Sequence, residues 1–407
     1  MNVVFISPQF PDTYWQFCAG LKRNGATVLG IGDTPYDQTS DELKGSLDEY
    51  YWLPSLEDYD AVFRAVAFFS YKYGKIDWVE SNNEYWLSLD ARLRDDFNIR
   101  TGAGAAQVAS WQSKADMKRY YAAGGVPTAR QVRVTTLEAA RAFVDAVGYP
   151  AFAKPEVGMG AGGAFKIEDD AQLAALVADH GDVPYVLEEF VDGELCTYDA
   201  IIYSHGEPLF ENQEEMPPDI FETVSLELDM SYYTRPVVDP RLRAAGRAVV
   251  RGFGVKSRFV HLEFFRLRED KPGLACAGDY VGLEANLRAP GGYTPDLMNY
   301  AHALSVYQIW ADMVCFDSTL VVPAAEERYC IYACRRRRYT YVHSHDDIFA
   351  RFGSAMVTYL ENPDAIADDM GNTAYVACFR TAEEIAAFTA YVHEKEEDVP
   401  SYEAQVF

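Results

Sequence analysis

The sequence predicts an α/β protein with an N-terminal doubly wound parallel sheet and a C-terminal α+β part. Three observations carry that reading. Residues 1–108 alternate strand and helix signals, the pattern of a parallel sheet covered by helices. Residues 149–167, YPAFAKPEVGMGAGGAFKI, read as strand, glycine-rich loop, strand. Two later strands, RFVHLEFFRL and YVGLEANLRAPGG, each carry a carboxylate in line with other polar residues at a spacing of two.

In the first unit, 1–108, strands are expected at 2–7, 27–31 and 76–80, and helices at 14–22, 58–73 and 85–97. The turn after the first strand, SPQFPD, lacks G-x-G-x-x-G, which excludes a dinucleotide fingerprint there. TGAGAA at 101–106 reads as a linker or hinge. A second unit, 113–183, opens with Ser113 capping a helix that runs to residue 123. Thr135-x-x-Glu138 reads as a capping box for a helix over 136–147. The glycine loop follows, with Lys154 at its rim and Gly158, Gly160, Gly162 and Gly163 within it. A lysine supplies a point charge, and glycines let backbone N–H groups approach phosphate oxygens closely. The same loop by itself also fits an ordinary turn.

The third unit, 184–320, is expected to carry strands at 185–190, 196–203, 259–267 and 280–287, with a helix near 240–252. Its segment 211–236 is acidic, rich in proline and methionine, and low in periodicity. It reads either as a mobile lid or as a surface excursion. The fourth unit, 321–407, mixes strands at 328–334, 339–343 and 374–379 with helices at 346–360 and 382–395.

A net charge of −26 argues against nucleic-acid or anionic-membrane partners. No run reaches the length of a membrane span. The N-terminus, MNVVFISPQF, has no basic region and reads as a core strand rather than a signal peptide. The seven cysteines are scattered, and reduced thiols in the cytoplasm are the simplest expectation.

The two acidic strands hold the chemistry. Period two puts Phe259, His261, Glu263 and Phe265 on one face of the first, and aligns Glu284, Asn286 and Arg288 on the second. Two carboxylates and an amide oxygen suit magnesium bound to phosphate, with the arginine reaching a further anion. The same residues also fit a solvated strand face. Backbone N–H groups of Gly291 and Gly292 are placed to hold a carboxylate. In VLEEFVDGEL, 186–195, a strand ends near Glu188 and Glu189 and turns at Asp192-Gly193; a hairpin with acidic flanks explains it equally. Arg335 to Arg338 fit either an anionic substrate or pairing with surface carboxylates. His343-x-His345 lacks a third metal ligand, and Glu84, after a strand end, is a weaker substrate-contact candidate.

Taken in order, SKADMKRYYAAGGVP, the KP-plus-glycine loop, LEEFVDGE, HLEFF and EANLRAPGG resemble the ATP-grasp superfamily. The resemblance covers roughly residues 1–320, and within the superfamily the chain is most similar to the carboxylate–amine ligase branch. That branch takes in L-amino-acid ligases, glycinamide-ribonucleotide-type ligases and biotin-carboxylase-like subunits. The resemblance implies a pre-grasp domain at 1–108, a lid subdomain at 113–183 and a large subdomain at 184–320. It implies that Lys114 and Lys154 bind ATP phosphates and that Gly158 to Gly163 fold over them. Glu188, Glu189 and Val191 would line the adenine, and Glu194 would take the ribose. Glu263, Glu284 and Asn286 would hold one or two magnesium ions, with manganese as a substitute. Arg288 would bind the substrate carboxylate, or stabilise its phosphorylated form, beside Gly291 and Gly292. The implied reaction is ATP-dependent joining of a small-molecule carboxylate to an amine through an acyl phosphate, in an enzyme that is often a homodimer. A biotin-carboxylase-like or formate-using enzyme and a non-catalytic nucleotide-binding module are the alternatives. Glu189 stands where many relatives carry lysine, and the loop lacks the arginine of some carboxylases. A second grasp half and a biotin-carrier segment are also missing from the pattern.

Overall fold

The computed structural model describes residues 1–158, 162–217, 228–323 and 326–396. Three sheets organise them. The first holds β1 (Asn2–Ile6), β2 (Thr27–Gly32), β3 (Glu49–Trp52) and β4 (Trp78–Glu80), all parallel, in the order β3-β2-β1-β4. Apolar residues on both faces of β1 make it doubly covered. Val4 and Ile6 join Val62, Val66 and Phe69 of the helix Tyr59–Tyr73, while Val3 and Phe5 join Phe17 and Trp310. Trp310 belongs to the helix Val306–Phe316, so this sheet shares a core with the large unit.

The second sheet is small and antiparallel. It holds β5 (Gln131–Arg133), β6 (Ala151–Pro155), β7 (Phe165–Ile167) and β8 (Tyr185–Glu189) in the order β5-β8-β6-β7. The helices Leu137–Val147 and Asp170–Asp179 cover one face through Val144, Leu173 and Leu176. β8 is therefore an interior strand of the small sheet, although the sequence reading put it beyond the 183/184 boundary.

The third sheet has eight antiparallel strands: β9 (Gly193–Ile202), β10 (Pro208–Glu215), β11 (Ser231–Thr234), β12 (Arg258–Leu267), β13 (Tyr280–Asn286), β14 (Tyr329–Arg335), β15 (Met356–Glu361) and β16 (Thr373–Phe379). Their order is β13-β12-β9-β10-β11-β14-β16-β15, so the chain after 320 continues the large sheet instead of forming one of its own. The helix Pro240–Phe253 packs so closely on it that a Cβ at Gly246 would lie 2.3 Å from the Tyr198 ring. Gly282 of β13 donates to the Pro127 carbonyl at 2.8 Å, which docks the small unit beside the large sheet.

Several expectations need correction. The helix foreseen over 346–360 stops at Phe352, and 356–361 is β15. The run Met-Val-Thr-Tyr-Leu is rich in β-branched and aromatic residues and pairs with β16. Thr136, one residue later than expected, caps the helix Leu137–Val147, and its partner is the Ala139 N–H. The 339–343 strand is a single bridge between Tyr341 and Lys395. Residues 211–215 and 231–234 of the foreseen lid or excursion are interior strands of the large sheet, while 218–227 lie outside the described residues. Arg335 and Arg336 are buried and bond backbone carbonyls rather than surface carboxylates. Arg335 donates to the carbonyls of Val392 and His343, both at 2.7 Å, and Arg336 to that of Leu228 at 2.8 Å. His343 lies flat on Tyr391 and bonds Glu394 at 2.8 Å, an arrangement unrelated to metal.

A buried charge cluster joins the first sheet to the third. Glu80 at the end of β4 meets Arg94 at 2.9 Å and Arg258 of β12 at 2.8 Å. Arg258 also donates to the Leu287 carbonyl at 2.7 Å. Burial would raise the Glu80 carboxyl, but Arg258 and Arg94 hold it below its usual range. Removing one partner strands the others without water. Arg258→Ala should therefore cost about 3–5 kcal/mol, read as a lower urea midpoint. A loss within about 1 kcal/mol, the range of an exposed pair, would contradict this reading.

Candidate active site

A cavity of about 390 Å³ lies between the small sheet and the large one. Phe152 and Lys154 of β6, Glu188 and Glu189 of β8, and the turn through Val191, Asp192 and Gly193 form one wall. Phe265 and Glu263 of β12, with Val281, Leu283, Glu284 and Asn286 of β13, form another. Glu84, Arg288, Gly291 and Gly292 also border it.

Strand geometry sets the change of chemistry along β13. Glu263 pairs with Glu284, and the next residue, Phe264, pairs with Gly282, so Leu283 is an extra residue in a bulge. The bulge lets apolar Val281 and Leu283 line the cavity before Glu284, Asn286 and Arg288 do.

Three lysines converge here. Lys154 bonds Glu188 at 2.8 Å, and Lys118 reaches the other oxygen of the same carboxylate at 2.9 Å. Lys114 bonds Glu284 at 3.1 Å and donates to the Gly158 carbonyl at 2.8 Å. Burial works against the Glu188 charge, yet the two lysines hold its carboxyl down to about 2. Burial also lowers Lys118. In Lys154 burial is outweighed by Glu188 and Glu284, and the amine is raised.

The carboxylates face each other across the ladder. Asn286 donates to Glu263 at 3.2 Å, and His261 lies 3.6 Å from Glu263 while bonding Asp199 at 2.6 Å. Burial raises Glu284, and the Glu263 charge adds to the rise against the pull of Lys114. Burial likewise pushes Glu263 up, but the positive His261 ring beside it leaves it below its usual range. His261 is itself held up to about 10, because Asp199 overcomes its burial. Among the described residues no three His, Cys, Asp or Glu side chains form a metal cage. Two carboxylates and an amide oxygen are instead the oxygen donor set magnesium takes when phosphates complete its shell.

The structure brings together Lys114, Lys154, Gly158, Gly162, Glu188, Glu189, Val191, Glu263, Glu284, Asn286, Arg288, Gly291 and Gly292. Gly160 lies outside the described residues, and Gly163 sits behind the lining, where its carbonyl accepts from Tyr185 at 3.0 Å. Glu194, foreseen as the ribose carboxylate, is exposed outside the cavity and ion-paired to Arg266. Asp192 lines the cavity in its place. The Glu189 side chain is bound by Arg130 at 2.7 Å, leaving its strand's backbone as the contact surface. Arg288 pairs with Glu84 at 3.1 Å, which joins the first sheet's loop to the third sheet.

Against known proteins, no family model matches the chain. It is 26% identical over 215 residues to the carbamoyl phosphate synthase large chain of Streptomyces coelicolor, covering 50% of this chain and 18% of that one. It is 23% identical over 271 residues to alanine–anticapsin ligase of Bacillus subtilis, covering 61% of this chain and 56% of that one. It thus spans less than two thirds of either relative. The crystal structure of an L-amino acid ligase from Bacillus licheniformis superposes with a TM-score of 0.68 at 15% identity, over 95% of each chain. The chain has the ATP-grasp fold. No described helix is long and apolar enough to cross a membrane.

Sequence reading missed two groups at this site. Lys118 passed as part of an ordinary helix start. Glu214 lay in the stretch read as a lid or excursion, yet it is fully buried on β10 and borders the cavity. One Glu214 oxygen accepts from Thr294 at 3.3 Å, and the other has no partner. Burial first, then Asp199, pushes its carboxyl up to about 8, with His261 opposing. Between about pH 4.5 and about 8 the unfolded chain ionises this group while the folded chain keeps its proton. Its contribution to stability is therefore lost as pH rises through that window. Glu214→Gln should gain thermal stability relative to wild type as pH rises from the bottom of the window to the top. An offset between the two melting temperatures that stays constant with pH would contradict the burial argument.

Proposed function

We propose that this protein is an ATP- and magnesium-dependent ligase that joins a small-molecule carboxylate to an amine. The observation that carries the reading is the convergence of Lys118 and Lys154 on the Glu188 carboxylate and of Lys114 on that of Glu284, with Glu263 and Arg288 bordering the same cavity. Lysines at the mouth of a glycine loop suit polyphosphate, and the apolar wall of Phe152, Val191, Val281 and Leu283 suits a flat base. Glu263, Glu284 and Asn286 would hold one or two magnesium ions, which supply charge neutralisation between phosphate oxygens. The ATP-grasp fold and the partial likeness to alanine–anticapsin ligase support the same reading.

The chemistry is phosphoryl transfer followed by acyl transfer. The substrate carboxylate takes the γ-phosphoryl group of ATP, giving an acyl phosphate and ADP. The amine then displaces phosphate and loses a proton, giving an amide. Both partners of the first step are anions, so positioning and charge neutralisation dominate its barrier. Lys114 and Lys154 hold phosphate oxygens, and Lys118 orients Glu188 against Lys154. Arg288 holds the substrate carboxylate. The small sheet on that side of the cavity excludes the water that would hydrolyse the acyl phosphate.

Purified protein with ATP, magnesium, hydroxylamine and a panel of carboxylates should form ADP and a hydroxamate with at least one acid. Lys154→Ala and Glu284→Gln should each lower that rate by about 10²–10³-fold. Wild-type turnover in both variants would refute the site assignment.

A further inference from the structure

Past Arg288 the cavity wall turns apolar. Met216, Met230, Tyr232 and Met370 all border the cavity and all belong to one hydrophobic cluster beneath β11 and β14. The tyrosine part of that wall is rigid. Tyr232 stacks on Tyr332 with ring centroids 4.9 Å apart, and Tyr293 stacks on the same ring at 5.8 Å. Tyr332 donates to the Met370 carbonyl at 2.7 Å and accepts from Asn362 at 2.7 Å. The methionines are the adaptable part, since an unbranched thioether refits to different apolar shapes.

Gly292 keeps this wall accessible. Its φ is +58°, and a Cβ there would lie 2.9 Å from the Met370 terminal methyl and 3.4 Å from the Tyr232 hydroxyl. A larger residue would fill the space between the Arg288 loop and the methionines. Gly291 has open space at the same point.

We infer that the acid whose carboxylate meets Arg288 carries an apolar side chain, aliphatic, thioether or aromatic, and that Met230, Tyr232 and Met370 receive it. This rests on the ligase reading above and adds the substrate class to it. An ionised side chain placed there would lose its hydration against thioether and aromatic carbon. A hydrogen or methyl group in its place would leave the wall unfilled.

The test is a hydroxylamine-trapped panel with saturating ATP and magnesium, comparing acids that differ only in side chain. Leucine, methionine and phenylalanine stand against glycine, aspartate and lysine. The apolar acids should exceed glycine and the charged acids in kcat/KM by about tenfold or more. Met370→Ala, at a half-buried position, should lower kcat/KM for the leucine-sized acid by a similar factor of about 10. Equal turnover of charged and apolar acids, or a side-chain preference seen only among added amines, would overturn the inference and leave the ligase reading standing. Absence of both ADP and hydroxamate with every acid would overturn both.

Discussion

Two lysines share one buried glutamate, and much of the molecule is arranged to make that tolerable. Glu188, Lys154 and Lys118 would each lose hydration worth several kcal/mol on burial, and only their mutual contacts offset it. The register of β6 against β8 brings Lys154 and Glu188 within reach, and the helix Lys118–Gly124 supplies the third charge. Lys114 and Glu284 repeat the device one step along the cavity, and Arg288 with Glu84 repeats it again. These contacts pair four cations, Lys114, Lys118, Lys154 and Arg288, with three carboxylates, Glu84, Glu188 and Glu284.

The bulge at Leu283 is the second determinant. Without it, period two would keep either the apolar or the polar residues of β13 on the cavity face, never both in succession. With it, one strand presents first carbon and then oxygen to the cavity, as the proposed binding of a flat base followed by phosphate and metal requires. The join to the first sheet acts on the same strand. Arg258 holds the Leu287 carbonyl while bound to Glu80, so Arg288 projects from a backbone clamped on the neighbouring residue.

Much of this was legible because strand periodicity is a local property. Glu284, Asn286 and Arg288 announce a shared face at a spacing of two, and Glu263 does so on its own strand. Their pairing across the ladder is a tertiary fact that no local pattern carries. Lys118 was overlooked because a lysine near a helix start is usually solvated, and only folding brings it onto Glu188. Glu214 was overlooked because ENQEE lacks the apolar alternation of a half-buried strand; it is buried on β10 between neighbouring strands instead. Glu194 misled for the opposite reason: it follows the turn, but the pleat points it outward to Arg266, and Asp192 is left beside the cavity. The parallel sheet at the start was readable from apolar runs such as NVVFI. The short β15 was hidden by a preceding helix that ends at Phe352.

The proposed reaction requires that a carboxylate oxygen become bonded to the γ-phosphorus of ATP inside this cavity. Oxygen labelling tests it most directly. With an acceptor acid labelled with ¹⁸O in its carboxylate and an amine present, phosphorus NMR of the released phosphate should show one ¹⁸O carried over from the acid. Unlabelled phosphate, formed together with ADP and amide, would contradict an acyl-phosphate route and with it the role given to Arg288 and the lysines.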